Sequence, residues 1–286
     1  MPIDPSVAIG ATLPSHDFEW TTSDVLLYHL ALGAGVPPTD PRELRYAYEK
    51  DLQVLPTFAV VAPTLHETEP PRVSYPGIEI DLVKVVHGGQ KIVVHRALPT
   101  EGKARATTRV ADVWDKGSAA VVVTETAVTD IDGTPLWTNI SSIFAKGEGG
   151  FGGERGPSST ATRPDREPDA VLTTPTLPQQ ALWYRLLGDR NPLHSDPEFA
   201  AAAGFPAPIL HGLGTYGIVC KALVDEFLDG DVSRVASFGV RFAGVVFPGE
   251  TLRTSVWRED SRLVVATTVA ERDDAPALAD VELEHA

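Results

Sequence analysis

Two side chains able to move protons and an amide able to orient them fall within six residues of one another: Asp189, His194 and Asn191. They sit in the segment Tyr184 to Pro197, where Gly188 and Pro192 each punctuate the backbone. Glycine permits a sharp turn and proline fixes the next one. An acid, an amide and an imidazole on one loop can hold a single water and pass its protons to and from a substrate. Further along comes a glycine-rich stretch, from His211 through Gly212 and Gly214 to Gly217. If it opens a helix, its free backbone N–H groups and the helix dipole favour developing negative charge, such as an enolate-like oxygen. An isolated Asp-x-Asn-Pro is more often a turn that caps its own backbone, and glycines at a helix start more often serve packing. Here all the features occur together.

The elements that must position this loop show an internal repeat. Residues 23–32 and 178–187 both carry apolar side chains at helical spacing. Each stretch runs into a glycine corner, Gly33 to Pro37 in the first case and Gly188 to Pro192 in the second. Glycine and proline fall in register, with Ala34 opposite Asp189 and Val36 opposite Asn191. The first corner therefore lacks the acid and the amide. A further helix is predicted over about 42–52 in the first half and 212–227 in the second. Strands are predicted over 91–96, 104–113, 119–129 and 138–144, and again over 235–242, 251–258 and 263–270. Turn signals at Asp115 to Gly117, Asp132-Gly133 and Pro248-Gly249 separate them. Between the halves, residues 147–169 are rich in glycine and proline and read as a linker. The chain thus divides into a first half (1–146), the linker, and a second half (170–286). Helices followed by runs of antiparallel strands, twice over, give an α+β class. Two sheets are expected, each wrapped around a central helix and packed side by side as a pseudodimer.

Composition narrows the function classes. The 286 residues carry a net charge of −15, which repels polyanions and argues against nucleic-acid binding. The one cysteine, Cys220, lies in an apolar run and reads as a buried small hydrophobe. No histidine shows metal-ligand spacing with cysteine or carboxylate, so no metal is expected. No membrane-spanning run is apparent, the start of the chain lacks the pattern of a secretory leader, and its end is not a peroxisomal address. A cytoplasmic location is the expectation.

The segment Tyr184 to Pro197, an aromatic residue followed by Gly-Asp-x-Asn-Pro-Leu-His, resembles the signature of the hydratase 2 family, also called MaoC-like dehydratases. The resemblance reaches across both halves, through Leu98-Pro99, Val110 to Gly117 and Gly149 to Gly153, to the hydratase domain of the peroxisomal multifunctional enzymes type 2. It implies a double hot-dog fold and syn addition of water to a trans-2-enoyl-CoA, giving the (R)-3-hydroxyacyl-CoA. It implies Asp189 and His194 as the catalytic pair, Asn191 as their orienting partner, and Gly212 as the N–H that polarises the thioester carbonyl. It implies substrate contacts at His87, Gly88, Lys116 and Phe242 and on the loop residues Arg190, Pro192 and Leu193. The first half, without its own acid, would hold the acyl tail. No cofactor is implied, because CoA belongs to the substrate, and a homodimer is expected. Two positions depart from the pattern: Leu187 stands where a small residue is usual, and the stretch His87 to Gln90 lacks an acid at its third place. An acyl-carrier-protein dehydratase, a thioesterase and a non-catalytic acyl-CoA-binding subunit remain open alternatives, as does a sterol-derived rather than a straight acyl chain.

Overall fold

The computed structural model describes residues 3–70, 74–80, 85–157 and 163–286. The first half contributes α1 (Pro5–Ala8), β1 (His16–Trp20), α2 (Thr22–Ala31), α3 (Pro41–Ala47), β2 (Val85–Val94), β3 (Gly102–Asp115), β4 (Ala119–Asp130) and β5 (Pro135–Lys146). The second contributes β6 (Ala170–Pro175), α4 (Gln180–Tyr184), α5 (Pro197–Ala202), α6 (Gly212–Phe227), β7 (Val235–Phe242), β8 (Thr251–Glu259), β9 (Arg262–Val269) and β10 (Ala275–His285).

The ten strands form one sheet in the order β1-β3-β4-β5-β2-β7-β10-β9-β8-β6. Reading from the middle outwards, the two halves give the same sequence of strands, so the sheet carries a pseudo-twofold axis at the β2–β7 seam. Five residue pairs close that seam, from Gly89 opposite Arg241 to Val93 opposite Ser237. This is the α+β double hot-dog architecture. It corrects the expectation of two separate sheets: β2 begins at Val85, ahead of the predicted Lys91, and its central residues pair with β7 as well as with β5.

The expectation of one central helix per half is also corrected. The α6 helix is nearly all interior, with Tyr216 to Cys220, Leu223 and Val224 buried. It packs against β7 and against the first half's 3-10 turn at 56–60. Among the described residues of the first half it has no counterpart of similar length. The helix predicted over 42–52 stops at Ala47, and Asp51 adopts a left-handed φ of 58°. The chain then runs as 3-10 turns at 56–60 and 62–64 that bury Leu55, Phe58 and Ala59. Pro56 and Pro63 remove backbone donors there, which disfavours a long helix. The segment predicted as a helix over 178–187 is α4 followed by a single 3-10 turn at 185–187. By contrast α2 begins where predicted, with a reciprocal cap between Thr21 and Asp24.

The halves are cross-tied. The Gln180 side chain donates to the Ala31 carbonyl at 3.0 Å. Lys221 on α6 binds Glu43 of α3 at 2.8 Å and Asp225 at 2.9 Å, and Tyr46 donates to Asp225. The described linker residues hold no helix or strand but are fixed by hydrogen bonds. Asp115 accepts the Gly150 and Gly152 N–H groups, and Trp257 donates to the Arg166 carbonyl.

Candidate active site

The loop after α4 is shaped by Gly188. Its φ is +104°, and a Cβ there would lie 1.8 Å from the Thr64 carbonyl oxygen of the first half. Only glycine lets the two halves approach so closely at this point. The next residues cap their own turn: Asp189 Oδ1 accepts the Asn191 N–H at 3.1 Å, and Asn191 Oδ1 accepts the Leu193 N–H at 3.0 Å. Pro192 opens a 3-10 turn that ends on His194. Asn191 therefore caps the loop that carries Asp189 and His194. The first-half corner is held differently, with the Gly35 N–H donated to Glu43. That explains how it turns without an acid or an amide.

His194 is 8% exposed, and its Nδ1 is hydrogen-bonded to the Ile209 carbonyl at 2.9 Å. A carbonyl only accepts, so Nδ1 carries the proton and Nε2 keeps a bare lone pair. That Nε2 faces Asp189 Oδ2 at 4.0 Å. The separation is too long for a direct hydrogen bond, and both atoms are acceptors when His194 is neutral. Burial holds the His194 pKa below the usual imidazole range, against the opposing pull of the Asp189 carboxylate. One water could give a proton to each atom.

A third group completes the cluster. His211 is 1% exposed, its ring is stacked on His194 at 3.7 Å, and its Nε2 is 4.0 Å from the same Asp189 oxygen. In the sequence this residue stands out only as the neighbour of Gly212. A buried histidine directly before the helix-opening glycine was the available signal. Ligand atoms of Asp189, His194 and His211 lie within 4.8 Å of one another, a grouping that could hold a metal ion. The rings are only 23° from parallel. His194 Nδ1 is committed to the Ile209 carbonyl, while both Nε2 atoms lie 4.0 Å from Asp189 Oδ2. His194 thus faces Asp189 with His211 stacked behind it.

Gly212 is the first residue of α6, so its N–H lacks an intrahelical partner. The Phe242 ring covers it: a Cβ on Gly212 would stand 3.0 Å from Phe242 Cε1. His87 packs on Phe242 at 4.7 Å and shares a 3.0 Å hydrogen bond with Ser141. Gly88 occupies the bulge where β2 shifts register against β5. The structure thus joins Phe242 and His87 to Gly212. Arg190 donates to the Glu67 carbonyl, and the Leu193 carbonyl accepts from Ile209 N, so these loop residues brace the turn as well. Lys116 lies apart in the β3–β4 turn, donating to the Pro157 carbonyl and standing over Trp114.

A cavity of about 600 Å³ opens on Asp189. Val60, Val61 and Thr64 line it from the first half, and Tyr184, Leu187 and Leu213 from the second. The helix missing from the first half leaves its 3-10 turns as one wall. Leu187, the departure noted from the sequence, is part of the opposite wall.

The model for the MFE-2 hydratase 2 N-terminal domain matches residues 18–147, and that for the MaoC like domain matches residues 159–276. The chain is 58% identical to the enoyl-CoA hydratase ChsH3 of Mycobacterium tuberculosis, over 99% of both chains. It is 40% identical to mouse peroxisomal multifunctional enzyme type 2, covering 93% of this chain and 37% of that enzyme. A MaoC-like dehydratase from Phytophthora capsici superposes with a TM-score of 0.90 at 30% identity, covering 99% of this chain and 98% of that one. The two family models cover both halves, the first relative is matched over 99% of both chains, and the chain belongs to the MaoC-like, hydratase 2 family.

Proposed function

We propose that this protein is an (R)-specific enoyl-CoA hydratase acting in β-oxidation. The observation that carries the reading is the 4.0 Å gap between Asp189 Oδ2 and His194 Nε2, beside a cavity of acyl size. The names of the enoyl-CoA hydratase relatives support the substrate class.

In this reading the thioester oxygen of a trans-2-enoyl-CoA accepts the Gly212 N–H. Electron withdrawal through the carbonyl makes C3 electrophilic. Water held between Asp189 and His194 attacks C3, and the pair takes up one of its protons. A proton returns from the pair to C2 on the same face. Hydroxyl and hydrogen are thereby added syn and the pair is restored. Both Asp189 Oδ2 and His194 Nε2 face the water position, so the proton is assigned to the pair and not to one member. The balance closes with water alone, so the addition needs no oxidant, reductant or group-transfer co-reactant.

The first half, residues 1–146, serves as the degenerate, acyl-holding part, and residues 170–286 as the catalytic part. The 600 Å³ cavity has room for a straight medium chain or for a compact ring-bearing, sterol-derived acyl group. A cytoplasmic homodimer completes the proposal. No described helix is long and apolar enough to cross a membrane.

The test is turnover of trans-2-decenoyl-CoA, followed by loss of enone absorbance, with chiral analysis of the product. The expected product is the (R) isomer. General acid–base catalysis is worth about 10²–10⁴-fold, so Asp189→Asn should lower kcat at least a hundredfold. An (S) product would overturn the stereochemistry, and free CoA release would point to a thioesterase. Turnover only on the acyl-carrier-protein thioester would point to the carrier-bound dehydratase. Turnover of none of these, nor of a sterol-derived enoyl-CoA, would leave an acyl-CoA-binding role.

A further inference from the structure

His211 lies against the catalytic pair without an evident part in the proton transfer. Its Nε2 is 3.5 Å from the Asp189 main-chain carbonyl, and its Nδ1 is buried with no hydrogen-bond partner. The carbonyl accepts only, so the Nε2–H, Nδ1-bare tautomer is the one that fits. His194 has the opposite tautomer, fixed by Ile209. The His211 carbonyl meanwhile accepts the Thr215 N–H, so the residue is rooted in the first turn of α6. Its next neighbour is Gly212.

We propose that His211 is a positioning residue that sets the Asp189–His194 pair at a fixed place relative to the Gly212 N–H. Its N–H steadies the Asp189 main chain, and its ring face backs the His194 imidazole. One rigid residue thus joins the two centres where charge changes during hydration. A shift of about 1 Å at such a centre costs on the order of a hundredfold in rate.

The titratable groups facing His211 are Asp189 and His194 on the loop and Tyr184 and Arg185 before it. Burial first, and the neighbouring His194 second, hold its pKa well below the usual imidazole range. It therefore stays neutral where the enzyme works and is not a third acid or base. Its neutrality matters for the stack, because two imidazolium rings face to face would repel each other strongly in a buried site.

The inference rests on the hydratase reading only for its kinetic arm. In the structural arm, ¹⁵N-labelled histidine spectra of the whole protein are recorded from pH 5 to 8. His211 is expected as the Nε2–H tautomer throughout and His194 as Nδ1–H when neutral. A His211 in the Nδ1–H form, or one that titrates in this range, overturns the proposal whether or not the protein hydrates enoyl-CoA. In the kinetic arm, His211→Phe keeps a flat ring and removes the donor, while His211→Gln keeps an amide N–H near the position of Nε2. The phenylalanine variant is expected to lose at least about tenfold in kcat with KM within about threefold, and the glutamine variant to retain kcat within about fivefold. Equal kcat in the phenylalanine variant and the parent, or a loss confined to KM, overturns the positioning role. If the phenylalanine variant does not fold, the glutamine variant and the spectra decide. Failure of the parent to hydrate any enoyl-CoA would count against the function alone, since the tautomer measurement stands without it.

Discussion

Replacing Gly188 by alanine puts the contact between the two halves under direct test. The Cβ would start 1.8 Å from the Thr64 oxygen and 2.7 Å from its carbonyl carbon, whereas ordinary contact begins at 3.4 Å. The loop or the facing turn must therefore retreat by about 1.6 Å, the difference between 3.4 and 1.8 Å. Separately, a non-glycine residue held at φ +104° costs about 1–3 kcal/mol. The backbone collision brings the total to roughly 3 kcal/mol, which lowers Tm by roughly 6–12 °C in a chain of this size. The displaced residue is the neighbour of Asp189, so kcat should fall on the order of a hundredfold. Gly204→Ala is the control. Its φ is +87°, but its Cβ would meet nothing within 4 Å, so it carries the dihedral cost without the collision. Enone hydration and thermal unfolding of both variants give the comparison. A Gly188→Ala protein with kcat within twofold of the parent and an unchanged Tm would refute the close approach and its role in placing Asp189.

Other consequences can be checked in parallel. Gly212→Ala pushes a methyl to 3.0 Å from Phe242, so kcat/KM should drop about tenfold and recover in part in Gly212→Ala/Phe242→Leu; no recovery would detach Phe242 from this site. His29 is fully buried, shares a hydrogen bond with the Tyr46 carbonyl through Nδ1 and accepts the Leu55 N–H at Nε2, and burial holds its pKa down to about 3. The unfolded chain therefore takes up a proton near pH 6.5 that the folded one refuses. Stability is full above pH 6.5 and should decline at about 1.4 kcal/mol per pH unit as pH falls from there towards 3. A urea-unfolding series that is flat between pH 6.5 and 5 would contradict this. Lys221→Met leaves Glu43 and Asp225 facing each other without their cation, at 17% and 28% exposure. Breaking such a pair costs about 3–5 kcal/mol when fully buried, and the partial exposure here sets the expectation near 3 kcal/mol in denaturant unfolding.

The catalytic loop was legible in the sequence because its punctuation is local. Gly188 and Pro192 mark the corner, and the repeat with Gly33 and Pro37 dates the two corners to one pattern. The strands from 104 to 144 and from 235 to 269 were legible because their turns carry glycine and aspartate. What escaped was non-local. Pairing of β2 with β7 depends on a strand in the other half, and no turn residue announces it. The early end of the first half's helix escaped because the stretch predicted over 42–52 is helical as far as Ala47, and the left-handed turn at Asp51 carries no glycine or proline to announce it. His211 escaped as a site residue because stacking on His194 is a fact of three dimensions.

The seam between β2 and β7 also fixes what a fragment would do. A catalytic half made alone would leave β7 as a bare edge, with unpaired backbone groups along Ser237 to Arg241. The nearest surface able to satisfy that edge is the β7 of a second copy, running antiparallel about Gly239 as β2 does now. Such a pair would restore a ten-stranded sheet with two catalytic loops and no degenerate partner. The present chain thus holds in one polypeptide a pseudo-symmetric sheet that two separate halves would otherwise have to assemble.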